Sequence, residues 1–171
     1  MFTKQYKTYK EMMFFNWNGV YMTDVSGSSY LVGAPYSYEG DIGACMATPR
    51  CGAQDATGVG IYFGRGTTPP TENNYRMEDV ITTGLSFTTQ GVKTTKPNAG
   101  VYVVENTFIV RNTASEEITI SEIGCIGLAG KSSSKKYYCL YERQVLDTPV
   151  TIAPGESKLI TYRITFNQSV S

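Results

Sequence analysis

Through residues 101–166 apolar and polar positions alternate with a period of two, and the apolar ones are mostly β-branched or aromatic. That periodicity belongs to strands with one dry face, not to helices. The clearest case runs from Lys158 to Phe166, where Ile160, Tyr162, Ile164 and Phe166 share one face and Thr161, Arg163 and Thr165 the other. Strands are predicted over 101–112, 118–126, 137–145 and 159–166. Pro154-Gly155 is a turn signal and predicts a hairpin into the last strand. The polar break at 112–117 predicts that the strands on either side of it are antiparallel neighbours. Residues 127–136, rich in glycine, serine and lysine, read as an exposed loop. The pattern implies an all-β fold: an antiparallel β-sandwich, of jelly-roll or immunoglobulin-like connectivity, at 41–171, preceded by an N-terminal arm at 1–40.

Within that arm, Glu11 to Met22 concentrates large apolar groups and reads equally as a buried strand, a short helix followed by a turn, or an arm that docks on a neighbour through Phe14, Phe15 and Trp17. The chain of 171 residues is long enough for a substantial core. Fifteen basic and fifteen acidic residues cancel, which argues against a dedicated nucleic-acid binder. No stretch has the apolar length of a membrane span or a signal peptide.

The chemistry-bearing motifs are weak. There is no histidine, so a zinc site would need all four of Cys45, Cys51, Cys125 and Cys139. Simple hairpin register would set Cys125 opposite Cys139, within disulfide reach. The competing reading is that of small buried hydrophobes kept as thiols. Gly130-Lys131-Ser132 ends like a phosphate-binding loop, but the first glycine of that motif would fall on Cys125 and a strand rather than a helix follows. Gly58, Gly60, Gly64 and Gly66 miss the dinucleotide fingerprint. Glu78-Asp79 and Glu116-Glu117 are carboxylate pairs, but neighbours in a strand or turn point apart, so neither pair makes a catalytic couple. Glu142 and Arg143 interrupt an apolar strand, where charge is costly unless paired. Either strand alternation turns one of them outward, or one crosses a subunit boundary. No catalytic, cofactor-binding or metal-binding residue is assigned, and no cofactor is expected.

The segment 58–79, with its glycines, Pro69-Pro70 and Thr71-Glu72-Asn73-Asn74-Tyr75, and the later run Leu140 to Glu156 resemble small β-rich virion structural proteins of tailed bacteriophages. Such proteins carry a glycine-rich strand, a "GTG-T-x-P-T-x-x-D-Y" turn, an "I-T-I-x-E-I-G" strand and a final "R-x-V-L-x-x-P-V-T-I-x-P-G" segment. The match spans roughly residues 58–166 in order, departing at Arg65, where a small residue is usual, and at Asn74, where Asp is usual. The resemblance implies a non-enzymatic, capsid- or tail-associated component, assembled in the host cytoplasm and contacting other copies of itself and other virion proteins. It transfers no catalytic residue. With Phe14, Phe15 and Trp17, Arg65 and Arg143 complete the candidate interface set. The final strands also resemble immunoglobulin-like adhesion modules of bacterial surfaces. The alternative function is a receptor- or carbohydrate-binding module, in which exposed Tyr137 and Tyr138 stack on a host glycan.

Overall fold

The computed structural model describes residues 1–4, 6–7, 20–32, 48–53, 58–98, 100–131 and 136–167. Phe14, Phe15, Trp17 and Cys45 lie outside the described residues. Nine strands lie among the described residues: β1 (Val20–Thr23), β2 (Ser29–Val32), β3 (Pro49–Arg50), β4 (Gly60–Gly64), β5 (Leu85–Asn98), β6 (Val101–Asn112), β7 (Ile118–Lys131), β8 (Lys136–Ile152) and β9 (Ser157–Asn167). They form a β1-β2 hairpin, a four-stranded sheet β3-β4-β7-β8 and a three-stranded sheet β5-β6-β9. All pairings are antiparallel except β3 with β4. The fold is all-β, and the four strands predicted from alternation are β6, β7, β8 and β9.

The two larger sheets share one apolar core. Ile61, Phe63, Ile123, Cys125 and Tyr141 come from the four-stranded sheet, and Phe108, Val110, Ile160, Tyr162 and Ile164 from the three-stranded one. The Phe63 ring meets the Phe108 ring edge-on at 5.9 Å and stacks on Phe87 at 5.2 Å, which joins the sheets at their middle. A second cluster, Val25, Tyr62, Met77, Ile126 and Leu140, holds the alternate residues of β4, β7 and β8. The four-stranded sheet is therefore covered on both faces. Residues 120–128 of β7 are buried throughout, so the central strand gains little from a polar face.

Two predicted hairpins are instead crossings between sheets. The turn at 112–117 carries the chain from β6 to β7, and Pro154-Gly155 carries it from β8 to β9, each time into the other sheet. The turn residues mark a chain reversal correctly but carry no information on whether the next strand pairs or crosses the core. Gly155 adopts φ 76°, which a turn residue without a Cβ accepts freely. The predicted loop at 127–136 also shrinks, because β7 persists to Lys131 and β8 starts at Lys136.

Register corrects the cysteine expectation. Lys131 pairs with Lys136, so the reversal is centred beyond residue 132 and Cys139 falls opposite Gly127; one extra residue in β8, Tyr141, then moves the partner of Cys125 on to Glu142. This bulge turns Tyr141 toward the main core, where its ring occupies the space a Cβ on Gly127 would need, 2.0 Å away. Cys51, Cys125 and Cys139 form no disulfide.

The first residues fold back onto the body. Phe2 bridges Glu142, the Thr3 N–H donates to the Tyr141 carbonyl at 2.9 Å, and the Arg143 N–H donates to the Met1 carbonyl at 3.2 Å. Phe2 stacks on Tyr6 at 4.7 Å and reaches Phe166 at 5.3 Å. This short pairing covers part of the β8 edge, which an unpaired strand would leave open to other chains. The β1-β2 hairpin covers more of it, its Val25 N–H donating to the Tyr138 carbonyl at 3.0 Å.

Candidate functional site

Glu142 and Arg143 are both buried, at 3% and 2% exposure, on opposite faces of β8. Strand alternation does separate them, but neither reaches solvent because both faces of the sheet are covered. Arg143 lies under the segment that follows β4. Its Nε donates to Glu122 Oε1 at 2.5 Å, and its Nη1 and Nη2 approach Asn74 Oδ1 at 3.3 Å and Glu78 Oε2 at 3.4 Å. The chain itself thus supplies a charge partner for Arg143.

Glu122, fully buried on β7, is the centre of this arrangement. Besides Arg143 it accepts from the backbone N–H groups of Glu78 at 3.0 Å, Gly66 at 3.2 Å and Asp79 at 3.4 Å. Four donors converge on two oxygens, so the desolvated carboxylate is compensated and the segment 65–79 is drawn onto the sheet. Gly66 is required here, since a Cβ would stand 2.3 Å from Glu122 Oε2. Glu78 is half exposed and secures the turn above, accepting from the Thr67 and Thr68 N–H groups at 3.0 Å and from the Thr68 hydroxyl at 2.7 Å. Those hydrogen bonds, from Thr68 first, together with nearby Arg143, hold the Glu78 carboxyl below the usual glutamate range. The stretch 71–74 forms a turn, the Asn74 N–H donating to the Thr71 carbonyl at 3.2 Å and the Thr71 N–H to Asn74 Oδ1 at 2.7 Å.

Beside Arg143 this segment leaves a cavity of about 290 Å³, lined by Thr68, Asn73, Asn74, Tyr75, Arg76, Met77, Glu78 and Arg143. Arg76 covers the Tyr75 ring at 5.7 Å. Arg65, the other arginine of the candidate interface set, is exposed.

Glu142 faces the main core. It accepts a hydrogen bond from the Tyr162 hydroxyl and an ion pair from the Met1 amino group at 2.6 Å. Burial nevertheless pushes its carboxyl up, outweighing the pull of the amino group. Burial likewise raises the Cys139 thiol, with the Asp24 carboxylate adding to it. No group of three or more metal-ligating side chains occurs among the described residues, and no helix among them is long and apolar enough to cross a membrane.

Sequence reasoning singled out Arg143 and missed Glu122. The "I-T-I-S-E-I-G" strand holds a lone glutamate among apolar residues, which was the available signal. Tyr137 and Tyr138, assigned to glycan stacking, are half-buried, with Tyr137 against Tyr30 at 4.2 Å and Tyr138 packed on the second cluster. Compared with protein families, curated proteins and solved structures, the chain matches none.

Proposed function

We propose that this chain is a non-enzymatic structural component of a bacteriophage virion, capsid- or tail-associated, acting through protein–protein contacts. Its two sheets are read as a β-sandwich with an accessory hairpin and an N-terminal arm. One observation carries the assembly reading: Tyr21 and Leu31, directly opposite each other on the β1-β2 hairpin, are 71% and 58% exposed. Scattered exposed apolar residues are ordinary, but a cross-strand aromatic–aliphatic pair on the outer face of a docked hairpin is the chemistry of a contact surface. The other face of that hairpin is fixed to the body by Met22, 2% exposed, and by Tyr30 on Tyr137. The buried charges are in keeping with the same reading, because Glu122 and the Nε of Arg143 serve to hold a loop.

Electron microscopy of the native assembly tests this. The expected result is a repeating particle component whose β1-β2 hairpin abuts a neighbouring subunit. A chain absent from purified particles would overturn it.

A further inference from the structure

We propose that the cavity beside Arg143 binds one sugar unit of a neutral saccharide through a vicinal diol, a role additional to the assembly reading and independent of it. Arg143 is 2% exposed and anchored through Nε on Glu122, while its two Nη atoms are directed at the cavity residues Asn74 and Glu78. Those two contacts, 3.3 and 3.4 Å, are longer than the roughly 2.7–3.2 Å of a good N–H···O bond. The guanidinium fork is therefore rigid but weakly used on its cavity side. A hydroxyl both accepts and donates. Two adjacent hydroxyls can accept from the Nη atoms and donate to the Glu78 carboxylate and an asparagine carbonyl.

Charge and size narrow the ligand. The wall carries Arg143, Arg76 and Glu78, with Glu122 buried behind Arg143 and neutralising it through Nε, so an anion meets the Glu78 carboxylate and a cation two guanidinium groups. An uncharged polar molecule pays neither penalty. The cavity of about 290 Å³ lies just below the roughly 300–1,000 Å³ typical of drug-sized ligands, which suits one pyranose ring. Because Arg76 lies over the Tyr75 ring, recognition here rests on hydrogen bonds and not on stacking.

The test is an NMR amide-shift titration of the intact chain with glucose, galactose, a short neutral oligosaccharide, anionic sialic acid and cationic glucosamine. The expected result is saturating shifts confined to residues 66–79 and Arg143 with a neutral sugar, and about tenfold weaker binding of both charged sugars. Tighter binding of the oligosaccharide than of its monomer assigns the site to a glycan chain; equal binding assigns it to a free sugar. Asn73→Trp, which fills the cavity from its exposed rim, is expected to abolish the shifts in a protein whose spectrum remains folded. Arg76→Gln, which removes a rim cation, is expected to improve glucosamine binding relative to glucose. Absence of saturating shifts with every neutral sugar, shifts that survive Asn73→Trp, or preference for a charged sugar overturns the proposal. None of these outcomes bears on oligomeric state, so the assembly reading stands or falls separately.

Discussion

The Asn112 side-chain amide donates to the Ile152 carbonyl at 2.9 Å, tying the end of β6 in one sheet to the end of β8 in the other. The same amide donates to the Glu116 carbonyl at 2.7 Å, and its oxygen accepts from the Ala114 N–H at 2.8 Å. The Asn112 backbone completes the lacing, donating to the Glu156 carbonyl and accepting from the Gly155 N–H, both at 3.0 Å. One fully buried residue therefore closes both crossings between the sheets. Asn112→Ala should cost about 2–4 kcal/mol, since it strands buried carbonyls without donors. Asn112→Asp should cost at least as much, because it aims a carboxylate at those carbonyls. Chemical denaturation of the variants checks both.

Arg143 and Glu122 form a desolvated pair, and the loss of one partner leaves the other charge uncompensated. Arg143→Met should cost about 3–5 kcal/mol. Adding Glu122→Gln to that background should recover part of the loss, which a double-mutant cycle measures. Gly66→Ala should loosen the segment 65–79 first, seen as faster amide hydrogen exchange there before any change in the main core.

Much of the fold was legible from periodicity, and what escaped follows from physical causes. The strands around Phe108, Ile120, Leu140 and Ile164 were found because alternation is a local property. Sheet membership is not local: Asn112 and Gly155 look the same in a hairpin as in a crossing. The Cys125–Cys139 register escaped because the centre of the β7–β8 reversal, fixed by Lys131 pairing with Lys136, has no composition signal, and neither does the one-residue bulge at Tyr141. Arg143 stood out as a charge in an apolar strand, whereas the convergence of Gly66, Glu78 and Glu122 on it depends on a loop whose path only the tertiary structure defines.

The carboxylates divide the pH response. Glu142 is pushed up by burial, so the folded state binds its proton more tightly than the unfolded state does. Its contribution is therefore most favourable at low pH and declines as pH rises from the ordinary glutamate range through the raised value. Glu72, lowered chiefly by its hydrogen bond from Lys7, and Glu78 act oppositely: their contribution is present above the ordinary range and lost on acidification. Glu142→Gln should accordingly gain stability relative to the parent chain as pH rises through that window. Thermal melts of the two proteins across the acidic to neutral range provide the comparison.

Thiol reactivity should follow burial. Cys51 is only partly buried, whereas Cys125 and Cys139 are enclosed and Cys139 is held strongly in its protonated form. Among these three, a thiol reagent under native conditions should label Cys51 first, with Cys125 and Cys139 reacting only after denaturant is added. Peptide mapping by mass spectrometry identifies the order, and a Cys125–Cys139 disulfide in the unreduced protein would contradict the register.

Light scattering of the purified chain, alone and as Leu31→Glu, tests the assembly claim most directly. The account predicts a defined oligomer whose mass falls toward that of one chain when the charge is placed opposite Tyr21. A monodisperse monomer at every concentration, unchanged by the substitution, would contradict it.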